Sequence, residues 1–239
     1  VSVRFDCAQE VQRSRGITKA ADVVAEGDLV VLPTDTVYGI GCDAFDAEAV
    51  SALLAAKGRG RAMPPPVLVP HVRTLDGIAA GITPDIRALA EAFWPGALTI
   101  ITRAQPTLRW DLGETNGTVA LRMPLHPVAL ELLERTGPMA VSSANLTGHA
   151  AALTCAQAQE MLGDSVAVYL DGGDAELGVA STIVDCTSTP PRVVRQGAVT
   201  LEDLRSVVPS LLGLGEEPGR EPGEQRAVPG ASEASESAG

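Results

Sequence analysis

Lys57, Arg59 and Arg61 stand within five residues of one another in AKGRGRAMPPPVLV (residues 56–69), in a chain whose formal net charge is -12. On a loop that follows a helix, such a cluster could cradle a polyphosphate, with arginine giving planar bidentate contacts and lysine a point charge. It could equally be a solvated loop that complements the helix C-terminus. A second stretch, PTDTVYGIGCDAF (residues 33–45), brings the hydroxyls of Thr34 and Thr36 to the end of an apolar run, the place where open α/β sheets bind ligands. Its Gly39-x-Gly41-x-x-Ala44 formally matches a dinucleotide fingerprint. The next helix starts only at Asp46, so no helix N-terminus follows the glycines, and a polar turn is the simpler reading. A third stretch, VSSANLTG (residues 141–148), offers Ser142, Ser143 and Asn145. These could hydrogen-bond a phosphate or ribose, or merely satisfy the backbone of their own turn.

Other chemistries are poorly served. There is no G-x-S-x-G elbow and no carboxylate placed to partner His149, so a serine hydrolase is not expected. No G-x-x-x-x-G-K-[ST] occurs, so any ATP is held without a P-loop. Cys7, Cys42, Cys155 and Cys186 lack C-x-x-C spacing, and His71, His126 and His149 are scattered, so no metal site is expected from the protein side. The acidic balance argues against a broad nucleic-acid surface while permitting one basic pocket.

Alternating elements must position these residues. Residues 18–26 read as a helix closed by Gly27, and residues 30–33 as a buried strand. Asp46 caps a helix that runs to Lys57 and stops at Gly58. Thr83-Pro84 opens another, and residues 97–102 and 118–122 read as strands. Pro127 opens a helix that Gly137 ends, followed by the strand MAVSS. Thr154 with Gln157 forms a capping box. VAVYL, STIVD and PRVVR read as strands, and Thr200 caps a last helix. Strands mixed with helices over about 200 residues indicate an open α/β sheet with helical cover. One domain is expected over residues 3–209. An acidic Gly/Pro/Ser-rich tail over 210–239 is expected to be disordered, since it lacks the apolar residues that offset ordering entropy. The first ten residues hold no apolar run of the kind a secretory signal needs, and no stretch reaches the ~18 apolar residues of a membrane span; a cytoplasmic protein is expected.

Taken together, Pro33 to Gly39, Lys57-x-Arg59, Thr118 to Pro124, Ser143-x-Asn145, Ser181 to Asp185 and Arg195 to Ala198 resemble, in order and spacing, the signature stretches of the YrdC-like threonylcarbamoyl-AMP synthases. The resemblance spans residues 16–208 and the short, single-domain form of that family. It implies a twisted, largely parallel (mixed) α/β sheet around a concave, positively lined cleft. It implies that Lys57, Arg59, Met63, Thr118, Ser143, Asn145, Ala151 and Arg195 surround ATP or the adenylate, with Lys57 and Arg59 catalytic. It implies that Thr36, Leu68, Arg122, Val141 and Ser181 surround threonine, Arg122 clamping the carboxylate. Many relatives carry a polar residue where Met63 stands, and some a histidine where Leu68 stands, so contacts there would fall to the backbone.

The activity implied joins L-threonine, bicarbonate and ATP into threonylcarbamoyl-AMP and pyrophosphate. Mg2+ would accompany ATP, and the product would pass to a tRNA threonylcarbamoyl transferase complex that modifies an adenosine beside the anticodon. At most weak direct tRNA binding is expected of so acidic a chain. Threonine's amine captures the carbon as a carbamate, whose oxygen attacks the α-phosphorus. Such chemistry asks the protein mainly for positioning and charge stabilisation, which Lys, Arg, Ser, Thr and Asn provide. A non-catalytic paralogue that binds nucleotide or RNA is the alternative. A carbamoyl-transfer module of the hydrogenase-maturation kind would bring zinc-finger cysteine pairs, which this sequence lacks.

Overall fold

The structure, a computed structural model, describes residues 2–218. Eleven strands form one sheet: β1 (Val3–Asp6), β2 (Val30–Leu32), β3 (Gly39–Asp43), β4 (Val67–Leu68), β5 (Ala79–Ala80), β6 (Leu98–Ala104), β7 (Thr118–Arg122), β8 (Met139–Ser143), β9 (Val168–Asp171), β10 (Thr182–Asp185) and β11 (Arg192–Arg195). Their order is β1-β9-β2-β3-β8-β4-β7-β6-β10-β11, with β5 beside β6. The pairs β1–β9, β9–β2, β4–β7 and β6–β10 are parallel and the others antiparallel. The mixed α/β sheet is as expected, with less parallel character than "largely parallel" implies: β2, β3, β8 and β4 run as successive antiparallel neighbours.

Both faces of the sheet are buried, and strand alternation sorts the side chains. Val30, Leu32, Val168, Leu170, Met139, Val141 and Leu68 join one apolar cluster, under α1 (Glu10–Ala25) and α5 (Pro127–Thr136). Their strand neighbours Val31, Tyr169, Ala140 and Val67 join the other, with α2 (Ala47–Ala56), α3 (Thr74–Ile78), α4 (Pro84–Phe93), α6 (Cys155–Leu162) and α7 (Leu201–Val207).

The capping signals perform as the sequence indicates. The Asp46 carboxylate accepts from the N–H groups of Glu48 and Ala49, Thr83 from Ile86, and Thr154 and Thr200 complete capping boxes. Three expectations change. The first helix starts at Glu10 rather than Thr18; Gln9 makes no side-chain cap, and burial begins only at Gly16, so its first two turns carry no sequence signal. Gly39–Asp43 is a buried strand and not a polar turn. A Cβ on Gly39 would stand 2.6 Å from a methyl of Val141, so glycine here permits close approach of β3 to β8. The folded chain also passes Pro209: Leu211 is fully buried, Val193 N–H donates to Leu212 O at 2.8 Å, and Arg205 pairs with Glu216. Residues 219–239, the rest of the expected tail, lie outside the described residues.

Candidate active site

Strand ends and turns from across the sheet converge on a cavity of about 330 Å3. Of the residues expected to bind ligands, Thr36, Arg59, Leu68, Thr118, Arg122, Val141, Ser143, Ala151, Ser181 and Arg195 all line it. On β7, Thr118, Ala120 and Arg122, which share one face of the strand, line the cavity together with Val119, while Leu121 is fully buried in the core.

Arg122 is almost wholly enclosed. Its Nη2 pairs with Asp35 Oδ1 at 2.6 Å, its Nη1 donates to Thr36 Oγ1 at 2.8 Å and its Nε to Gly96 O at 2.9 Å. Burial lowers its pKa and the carboxylate of Asp35 works against that shift. Asp35 Oδ1 also accepts from Leu125 N–H at 2.9 Å. Thr36 itself is fixed by Thr34, whose Oγ1 lies 3.0 Å from Thr36 Oγ1 and accepts from the N–H groups of Thr36 and Val37.

Arg195 and Ser181 form a second unit. Arg195 donates through Nε and Nη2 to Ser181 O and through Nη2 to Ser181 Oγ, and Ser181 Oγ lies 2.8 Å from Thr99 Oγ1. Gly197 lets the chain after β11 fold back on this unit, since a Cβ there would meet Ala180 O at 2.3 Å. Arg59 is less satisfied: its Nη1 donates to Ser142 Oγ at 3.0 Å, and its buried Nε has no partner among the described residues. Desolvation lowers the pKa of both arginines, and for Arg195 the charge of Arg59 adds to it. Among the described residues, no aspartate or glutamate lines the cavity.

Three expected residues take other positions. Lys57 does not line the cavity; it is 2% exposed, and its ammonium donates to the carbonyls of Ser143 and Asn145. A buried ammonium needs such acceptors, and this one holds the 143–145 turn from behind. Burial first, and the charge of Arg59 second, bring its pKa down to about 8. The Asn145 amide is turned inward, donating to Leu146 O and His149 O. Met63 is exposed and outside the lining, since the loop that carries it is braced from outside by the Arg61–Asp111 ion pair and by Glu114 N–H on Arg61 O.

Sequence reasoning also missed residues. Asp35 lies 87 positions from Arg122, and nothing in spacing could announce the pair. Ser142 stood in the third stretch, but only the fold shows that it holds Arg59. Tyr38 is fully buried: its N–H donates to Ala152 O, its carbonyl accepts from Ala144 N–H, and its hydroxyl donates to Gly173 O and accepts from Gly172 N–H. It thereby ties its own cavity-lining segment to those that carry Ser143 and Ala151, and to the 172–173 turn.

The chain is similar to several known proteins. The Sua5/YciO/YrdC family model, described as "Telomere recombination", matches residues 22–197. A Mycobacterium tuberculosis protein that bears the threonylcarbamoyl-AMP synthase name provisionally is 56% identical over 204 residues, covering 85% of this chain and 94% of the relative. The threonylcarbamoyl-AMP synthase of Pyrococcus abyssi is 35% identical over 190 residues, covering 79% of this chain and 56% of the relative. The crystal structure of P. abyssi Sua5 complexed with L-threonine superposes with a TM-score of 0.82 at 31% identity, over 92% of this chain and 66% of the other.

Proposed function

The chain belongs to the Sua5/YciO/YrdC family, and from that premise we propose that it is a threonylcarbamoyl-AMP synthase, forming the adenylate from L-threonine, bicarbonate and ATP. The observation that carries the assignment is the cavity itself. Arg59 and Arg195 line it with no carboxylate among the described lining residues, while Arg122 and Thr36 line it as a hydrogen-bonded pair and Ser181, held by Arg195, adds a hydroxyl to the lining. The first pair suits a polyphosphate and the second group an amino acid. A paralogue that only bound nucleotide would have no use for the second group. The names of the relatives, across bacteria and archaea, favour the enzyme as well.

Arg122 receives the threonine carboxylate through the N–H groups that Asp35, Thr36 and Gly96 leave free. The amine then lies in the cavity, where it captures the one-carbon unit as a carbamate. Arg59 and Arg195 take the phosphates, oppose the charge that develops as the carbamate oxygen attacks the α-phosphorus, and stabilise the departing pyrophosphate. Ser143 and Thr118 contribute uncharged polar contacts to the nucleotide. Lys57 acts through the 143–145 turn and not on the phosphates directly. Mg2+ would enter with ATP: among the described residues the lining offers hydroxyls but no carboxylate, so a hard cation there would draw on phosphate oxygens and water and would neutralise phosphate charge. The product passes to a tRNA threonylcarbamoyl transferase complex. No helix among the described residues is long and apolar enough to cross a membrane, and a cytoplasmic location accords with this role.

Pyrophosphate release from ATP tests the assignment. It should require both L-threonine and bicarbonate. Release that ignores either one would contradict it.

A further inference from the structure

The four cations in and behind the cavity differ in what stands beside them. Lys57 is held by carbonyl oxygens, Arg59 by a serine hydroxyl and Arg195 by the backbone and hydroxyl of Ser181. Among the described residues, a carboxylate stands beside Arg122 alone of the four: Asp35, at 2.6 Å. Asp35 is 3% exposed and does not itself line the cavity. It therefore cancels the charge of Arg122 without occupying the face that a ligand would use. Of the five N–H groups of a guanidinium, three are engaged, by Asp35, Thr36 and Gly96.

We propose that Asp35 divides the cleft by charge: from behind Arg122 it leaves a neutral, donor-bearing pocket that takes an amino-acid zwitterion and excludes the phosphates of the nucleotide, which go to Arg59 and Arg195. The physical reason is that a polyphosphate gains mainly from net positive charge, which an ion pair presents only as a dipole. A single carboxylate gains mainly from directed N–H groups, which the pair preserves. Without Asp35 the cleft would hold one more uncompensated arginine, and the two anionic substrates would compete for it. Asp35 is thus a specificity-determining residue of the same site, and the inference rests on the assignment of ATP and threonine to this cavity.

The test is calorimetric titration of L-threonine and of pyrophosphate into the full chain and into Asp35→Asn, in which the amide oxygen can still accept from Leu125 N–H. The unaltered chain should bind one pyrophosphate without losing threonine affinity. In Asp35→Asn, saturating pyrophosphate should weaken threonine about tenfold or more, the scale of one uncompensated charge at close range. A folded Asp35→Asn chain in which pyrophosphate leaves threonine affinity untouched overturns the proposal. A second measurement needs no variant. Between 0.05 and 0.5 M KCl the unaltered chain should lose about tenfold or more in pyrophosphate affinity and less than about threefold in threonine affinity, because salt screens net charge more than directed hydrogen bonds. Equal losses also overturn it. Failure of threonine to bind the unaltered chain at all would remove the reading of the cavity and this inference with it. Threonine binding with no effect of Asp35 or of salt would remove the inference alone.

Discussion

The two ends of the cleft solve the problem of a half-buried cation differently. At the phosphate end, Arg59 and Arg195 repel each other and have no carboxylate partner among the described residues, and the Lys57 ammonium is held by carbonyl oxygens. At the amino-acid end, Arg122 is buried more deeply than Arg59 or Arg195 yet held by an ion pair and two further hydrogen bonds. The first arrangement is costly until an anion arrives. The second is stable on its own. The contrast separates residues whose loss should damage binding from those whose loss should damage the fold as well.

Arg59→Ala gives the largest expected effect on activity. Loss of a charge-assisted contact of about 1.5–3 kcal/mol should weaken nucleotide binding about 10- to 150-fold, with threonine affinity nearly unchanged and the melting temperature unchanged or raised, because a repulsion is removed. A fall of several degrees would show that Arg59 supports the fold and would blur the contrast.

Arg122→Ala should reverse that pattern. It leaves Asp35 buried without its partner, a loss of about 3–5 kcal/mol in stability, and it weakens threonine far more than ATP. Arg122→Lys should recover part of the stability but little of the threonine affinity, since a point charge lacks the planar fork. Denaturant unfolding and calorimetry of both ligands separate the two effects. The acid that Arg122 pairs with is Asp35, while Asp185 accepts from Thr187.

Alkaline pH should act on the phosphate end. The pKa of Lys57 lies near 8, below its ordinary 10.5. Between those values the unfolded chain binds more protons at this site than the native one, so its contribution to stability rises with pH through that window and is lost as pH falls back toward 8. Lys57→Met should abolish that rise, seen as the difference in denaturation midpoint between pH 7.5 and 9.5. A rise of the same size in the variant would assign it to another group.

Acid pH should act on the amino-acid end, and more weakly. His126 Nδ1 accepts from Val128 N–H to cap α5, and burial lowers its pKa below the ordinary 6.5. The unfolded chain takes up the proton first, so this contribution is present above pH 6.5 and lost as pH falls through the folded value. His126→Asn, which can still cap, should flatten that part of the acid limb by about 1 kcal/mol or less.

How much of this was legible follows from what each feature depends on. Caps are local, and Asp46, Thr83, Thr154 and Thr200 could be read directly. The face of β7 that carries Thr118 and Arg122 follows from a period of two. Gly39–Asp43 could not be read as a strand, because glycine is depleted in strands and the reason for it here is Val141, on another strand. The Asp35–Arg122 pair and the inward turn of Lys57 toward Ser143 and Asn145 are tertiary facts joining residues more than 80 positions apart. The motifs therefore located the cleft without revealing which of its cations face it.

Both ends of the cleft must work on one molecule of product. Incubation with ATP, L-threonine and 13C-bicarbonate, followed by mass spectrometry, measures this directly. The expected result is threonylcarbamoyl-AMP carrying one 13C, formed by the unaltered chain and greatly reduced in both Arg59→Ala and Arg122→Lys. AMP and pyrophosphate formed without the labelled adduct would contradict it.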